Sequence, residues 1–269
     1  MLNRITKISW LALALAVVCL VALTGTAGRP AGSMAKVRAP YLLLWAWERP
    51  ESISFVNSKE IGVAFLAESI FLDRQPVLRP RLQPLRVGPK TPLTAVVRLE
   101  ITPRTPKAFD PSYTSTVAQW IVTVAHEPQV EAVQIDFDAT QSQRDFYRAL
   151  LAAVRPLLPT GMQLSITALG SWCLGDDWLS GLPIDEAVPM LFRMGVDREN
   201  ILHALAAGDD FREPLCRTSL GVSTDEPWPE IPDQPFSAKN WWAGRRVYVF
   251  NPHPWTKASF EAIQRKLTP

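Results

Sequence analysis

Eight short apolar runs rich in branched side chains recur along the chain, and this alternation constrains the fold more than any other feature. They are YLLLWAW at 41, IGVAFL at 61, TAVVRLEI at 94, EAVQIDF at 131, MQLSITAL at 162, EAVPMLF at 186, TSLGVS at 218 and RVYVFN at 246. Several segments between them carry helical period instead. Asp110 and Pro111 read as a cap and first turn, followed by Val117, Trp120, Ile121 and Val124 on one face. Phe146, Leu150 and Val154 form a stripe that stops at Pro156, and Asp197 reads as the cap of a helix bearing Ile201, Leu202 and Leu205 that ends at Gly208. A last helix from Thr256 would bury Phe260, Ile263 and Leu267. Strands alternating with helices pair in parallel, and eight such units close on themselves. The sequence therefore predicts an α/β protein whose residues 36–269 form one (β/α)8 TIM barrel.

Two stretches break the rhythm. Residues 73–92, DRQPVLRPRLQPLRVGPKTP, hold five prolines and no helical period, so an extended excursion should replace the second helix. Its arginines suit a solvated edge better than an acidic ligand. Residues 225–245, with EPWPEIPDQPF and NWWAG, read as a long loop of the kind that covers the active face of a barrel.

The first 30 residues stand apart from the fold. Arg4 and Lys7 precede an apolar run of 16 residues, Ile8 to Leu23, and small residues follow. That order marks a secretory signal cleaved after Ala27, or a retained membrane tether through residues 8–23. Either way the barrel is expected in the periplasm or anchored facing it. With a net charge of +2 and interspersed signs, the chain offers no basic face for nucleic acid.

Export leaves Cys173 and Cys216 as a possible disulfide. The strand layout argues against the bond, since one cysteine follows the fifth strand and the other precedes the seventh, at opposite ends of the barrel. No closely spaced pair among these cysteines and His126, His203 and His253 suggests zinc.

The fourth run ends in two acids. On a strand, Gln134, Asp136 and Asp138 share one face and Val133, Ile135 and Phe137 the other. In a parallel barrel the acids reach the carboxyl end, where catalytic groups gather. Asp138 or Thr140 would serve equally as the cap of the next helix. Asp136 is harder to dismiss, because an acid pointing into a barrel is costly unless it is paired or used. Glu48, Glu100, Asp225 and Glu226 are further acids near strand ends. Around them Trp47, Trp172, Trp228 and Trp255 offer faces for sugar rings, and His253 a polar contact at the rim; core packing is the alternative for the tryptophans.

The row Glu131, Gln134, Asp136, Asp138 resembles the D-x-x-D-x-D-x-E row on the fourth strand of chitinase-type glycoside hydrolases, with LSITAL and PMLF similar to their fifth and sixth strands. The resemblance implies Asp138 as general acid and Asp136 as the group orienting a substrate acetamido. The chain departs from it at several positions: Asp138 is one methylene shorter than glutamate, Gln134 replaces an acid, and Phe192–Arg193 stands in place of Tyr–Asp. LWAWERPE, GVAFLAESIFL, RPRLQPLRV, AVVRLEI, QIDFDATQSQRDFYRALL and LSITALGSWC are also similar to a bacterial domain of unknown function among the glycosidase-like barrels. That similarity implies a fold and an envelope location. Two functions are expected from these readings: a carbohydrate-active hydrolase, or an inactive barrel that binds envelope glycan. Neither needs a cofactor or a metal.

Overall fold

The computed structural model describes residues 41–102, 105, 111–229 and 244–267. The leader, Asp110, Trp241 and Trp242 lie outside them. All eight runs form strands: β1 (Leu42–Ala46), β3 (Ile61–Leu72), β6 (Leu93–Ile101), β7 (Val130–Asp136), β8 (Gln163–Leu169), β9 (Glu186–Met190), β10 (Ser219–Ser223) and β11 (Arg246–Phe250). Each pairs in parallel with the next, and β1 pairs with both β3 and β11, so the ring is closed. The protein has the α/β TIM-barrel fold.

Helices α1 (Pro111–Thr123), α2 (Arg144–Val154), α3 (Gly170–Gly175), α4 (Arg198–Ala206) and α5 (Lys257–Leu267) cover the outer wall. In α2, Phe146, Tyr147, Leu150, Leu151 and Val154 are buried, the stripe that its 3.6-residue period lays against the strands. The first two crossovers carry no helix. Instead β2 (Glu51–Ile53) and β5 (Leu85–Val87) form a small parallel sheet, and β4 (Val77–Pro80) folds back antiparallel on β3. Ile53 and Val56 are buried in the outer core where a helix would otherwise pack.

The excursion is more than a solvated edge. The Arg81 guanidinium reaches the top of β1, donating to the carbonyls of Trp47 (2.6 Å), Arg49 (2.6 Å) and Leu66 (3.3 Å). Arg49 in turn donates to the carbonyls of Asn251, Pro252 and His253 and pairs with buried Glu51 at 2.7 Å. A planar fork with several donors suits this job, because strand-end carbonyls without a following helix would otherwise lack partners.

Inside the ring, Leu43, Trp45, Ala64, Val96, Val188, Phe192 and Tyr248 form one apolar cluster. Trp45 takes so much of that volume that β10 carries Gly221 opposite it, where an added Cβ would stand 3.0 Å from the indole. The amino end of the barrel is sealed by a buried polar triad. Tyr248 donates to Glu186 Oε2 at 2.9 Å, and Arg246 pairs with the same carboxylate at 3.3 Å. A buried acid with both partners in place is satisfied and held. The opposite end stays open.

Cys173 and Cys216 form a disulfide with their Cα atoms 5.9 Å apart, which corrects the expectation that they lie at opposite ends. Both sit in the outer layer rather than at the rims. The returning chain runs against α3, where the backbone N–H groups of Arg212 and Glu213 donate to Cys173 O at 2.9 and 3.2 Å.

Candidate functional site

At the carboxyl end of the strands lies a cavity of about 290 Å3 lined by both Asp136 and Asp138. Alternation along β7 aims them there. Phe137, between them, faces outward and meets the rings of Tyr147 and Phe146 at 5.2 and 6.5 Å. Below them Gln134 is fully buried, accepting from Trp45 Nε1 (2.9 Å) and donating to Ser165 Oγ (3.3 Å). It fixes the floor and does not line the cavity.

The two acids differ in surroundings. Asp136 is buried, accepts from Thr167 Oγ1 at 2.7 Å, and faces Arg98 Nη1 at 3.4 Å. Burial raises its carboxyl above the usual range; Arg98 and Thr167 pull the other way without overcoming it, and Asp138 and Glu100 add to the rise. Asp138 is exposed to the cavity. It caps nothing: the turn before α2 is headed by Thr140, whose N–H donates to Gln143 Oε1 at 2.8 Å. No described residue gives the Asp138 side chain a hydrogen bond or ion pair, so it faces the ligand space unengaged.

The walls are aromatic. Trp45 and Trp47 come from β1 and its end, Phe192 from the end of β9 and Phe250 from β11. Phe192 and Phe250 stack nearly parallel with centroids 5.7 Å apart, and Trp47 meets Phe250 edge-on at 6.1 Å. Arg98 lies over Trp47 at 5.3 Å and Arg193 over Phe250 at 4.8 Å. Arg193 adopts φ 51°, a left-handed conformation costing a residue with a Cβ about 1–3 kcal/mol. It is held by its N–H, which donates to the Glu226 carboxylate at 3.0 and 3.2 Å, and by its guanidinium, 3.4 Å from Asp225. That turn brings the loop after β9 over the mouth.

Of the four tryptophans offered as faces for sugar rings, Trp47 lines the cavity and Trp172, Trp228 and Trp255 do not. Trp172 packs edge-on against Trp178 at 4.8 Å in the outer core. Trp228 donates to Ser223 O, and Trp255 to Trp45 O, both at 2.9 Å and both buried. His253 is exposed and serves Arg49 with its carbonyl. Glu48 is an exposed acceptor for Leu82 N–H at 3.2 Å. These residues stand at strand ends or in the next turns, yet their side chains pack away from the mouth or over its outer edge.

Arg98 and Thr167 were legible in principle. Each occupies the inward row of its strand, with Val96 and Ser165 one step below, and Arg98 is the register partner of Asp136. Asp197 carried a misleading signal. It stands at the cap of α4 as expected, but its side chain makes no cap hydrogen bond and lines the cavity instead. Among the described residues, no group of three or more His, Cys, Asp or Glu side chains is arranged to hold a metal ion.

No protein-family model, curated protein or solved structure matches the chain.

Proposed function

We propose that this protein is an exported, glycosidase-like hydrolase acting on a carbohydrate of the cell envelope. The observation that carries the reading is the pairing, at the open end of the barrel, of a buried Asp136 whose carboxyl is raised by burial with an exposed, unengaged Asp138 beneath aromatic walls. Glycosidic cleavage needs a proton donor that stays protonated near neutral pH. Asp138, which faces the cavity, is the group placed to give a proton to the oxygen of the leaving group, and Asp136 is its partner on the same wall. Trp47, Phe192 and Phe250 offer apolar faces to a sugar ring. The Cys173–Cys216 disulfide supports an oxidising compartment and accords with a leader that directs export.

A panel of aryl glycosides and purified wall polymers tests the reading. Wild type should release product, and Asp138→Asn should lose about 100- to 10,000-fold in kcat while keeping its melting temperature. Binding by both proteins with no product from either would establish the glycan-binding barrel instead.

A further inference from the structure

We infer that Asp197 is the second catalytic carboxylate of this cavity, activating water so that hydrolysis inverts the anomeric carbon; the inference rests on the hydrolase reading above. Asp136 and Asp138 lie side by side on one wall, so together they cannot flank a bond from opposite faces. Cleavage through an oxocarbenium-like transition state needs a second group across the ring. Asp197 reaches the same cavity from the loop after β9, two strands round the barrel from β7.

Its surroundings set it apart from the other acids near the mouth. Glu100 pairs with Arg98, Asp225 with Arg193 and Glu226 with Arg198, and Glu48 accepts from a backbone N–H. None of these four lines the cavity. Asp197 does, and no described residue gives its carboxylate a hydrogen bond or ion pair, although Arg193 and Arg198 flank it in sequence. Both arginines turn to the neighbouring loop, Arg193 to Asp225 at 3.4 Å and Arg198 to Glu226 at 3.6 Å. The loop is pinned and its acid is left facing the space where a ligand would sit.

Neighbouring strands lie about 4.8 Å apart, so elements two strands apart are separated by about 9–10 Å at the strand ends. A base that works through an intervening water needs such room, whereas a nucleophile must reach the anomeric carbon itself, so Asp197 is assigned to water. In the step, Asp138 gives its proton to the glycosidic oxygen as the bond to the anomeric carbon breaks. Water bonds to that carbon from the opposite face and passes a proton to Asp197. The products are a hemiacetal sugar and an alcohol, one water is consumed, and the proton on Asp197 returns to Asp138 through solvent.

The test uses the aryl glycoside that wild type cleaves fastest. Proton NMR of the first product should show the anomer opposite to that of the substrate. Asp197→Ala should lose at least about 100-fold in kcat with an unchanged melting temperature, and added azide should restore turnover and yield the glycosyl azide. Retention of configuration in wild type, near-wild-type kcat in Asp197→Asn, or loss without azide rescue overturns the role of Asp197 while leaving the hydrolase reading in place. A wild type that cleaves nothing in the panel overturns both.

Discussion

Replacing Glu68 with glutamine should abolish a pH dependence of stability built into the outer core. Glu68 follows the β-bulge of β3, where the register against β6 shifts between Leu66 and Glu68, and this places it opposite Val97 rather than in the inward row. It is only 4% exposed, and among the described residues its Oε1 has no hydrogen-bond partner. Burial, aided by the nearby charge of Glu127, pushes its carboxyl from 4.5 up to about 8. Between those two values the folded protein holds a proton that the unfolded chain releases. The contribution of Glu68 to stability is therefore greatest below about pH 4.5, falls by at most about 1.4 kcal/mol per pH unit through the window, and levels off above about pH 8. Integrated, the loss approaches about 5 kcal/mol, and water penetration reduces it to about 2–4 kcal/mol. Glu68→Gln keeps the shape and removes the ionisation. Urea unfolding of both proteins from pH 5 to 9 should give curves that diverge as pH rises, with the variant the more stable at pH 8.5. Parallel curves would refute the argument.

Two further stability effects follow from the outer layer. Reducing the Cys173–Cys216 bond, or replacing both cysteines with alanine, frees a loop of 43-residue separation and should cost about 4 kcal/mol by loop entropy; coincident urea curves with and without dithiothreitol would contradict this. Arg81→Met strands the carbonyls of Trp47, Arg49 and Leu66 and should cost about 2–4 kcal/mol, read as a lower urea midpoint, whereas a shift below about 0.5 kcal/mol would show the staple to be idle.

The barrel was legible in the sequence because its evidence is local. A two-residue period bounded by turn signals fixes a strand and its two faces wherever the strand ends up, and eight such strands joined in parallel leave few topologies. The same rule put Asp136 and Asp138 on one face and would have put Arg98 and Thr167 beside them. Four things needed the tertiary structure: Arg81 as a staple, the Cys173–Cys216 bond, the inward turn of Asp197, and the burial of Trp172, Trp228 and Trp255 away from the mouth. Each depends on where a loop travels after its strand. That path is set by contacts between residues far apart in the chain, such as Arg193 with Glu226 or Arg49 with His253, and no local period encodes them.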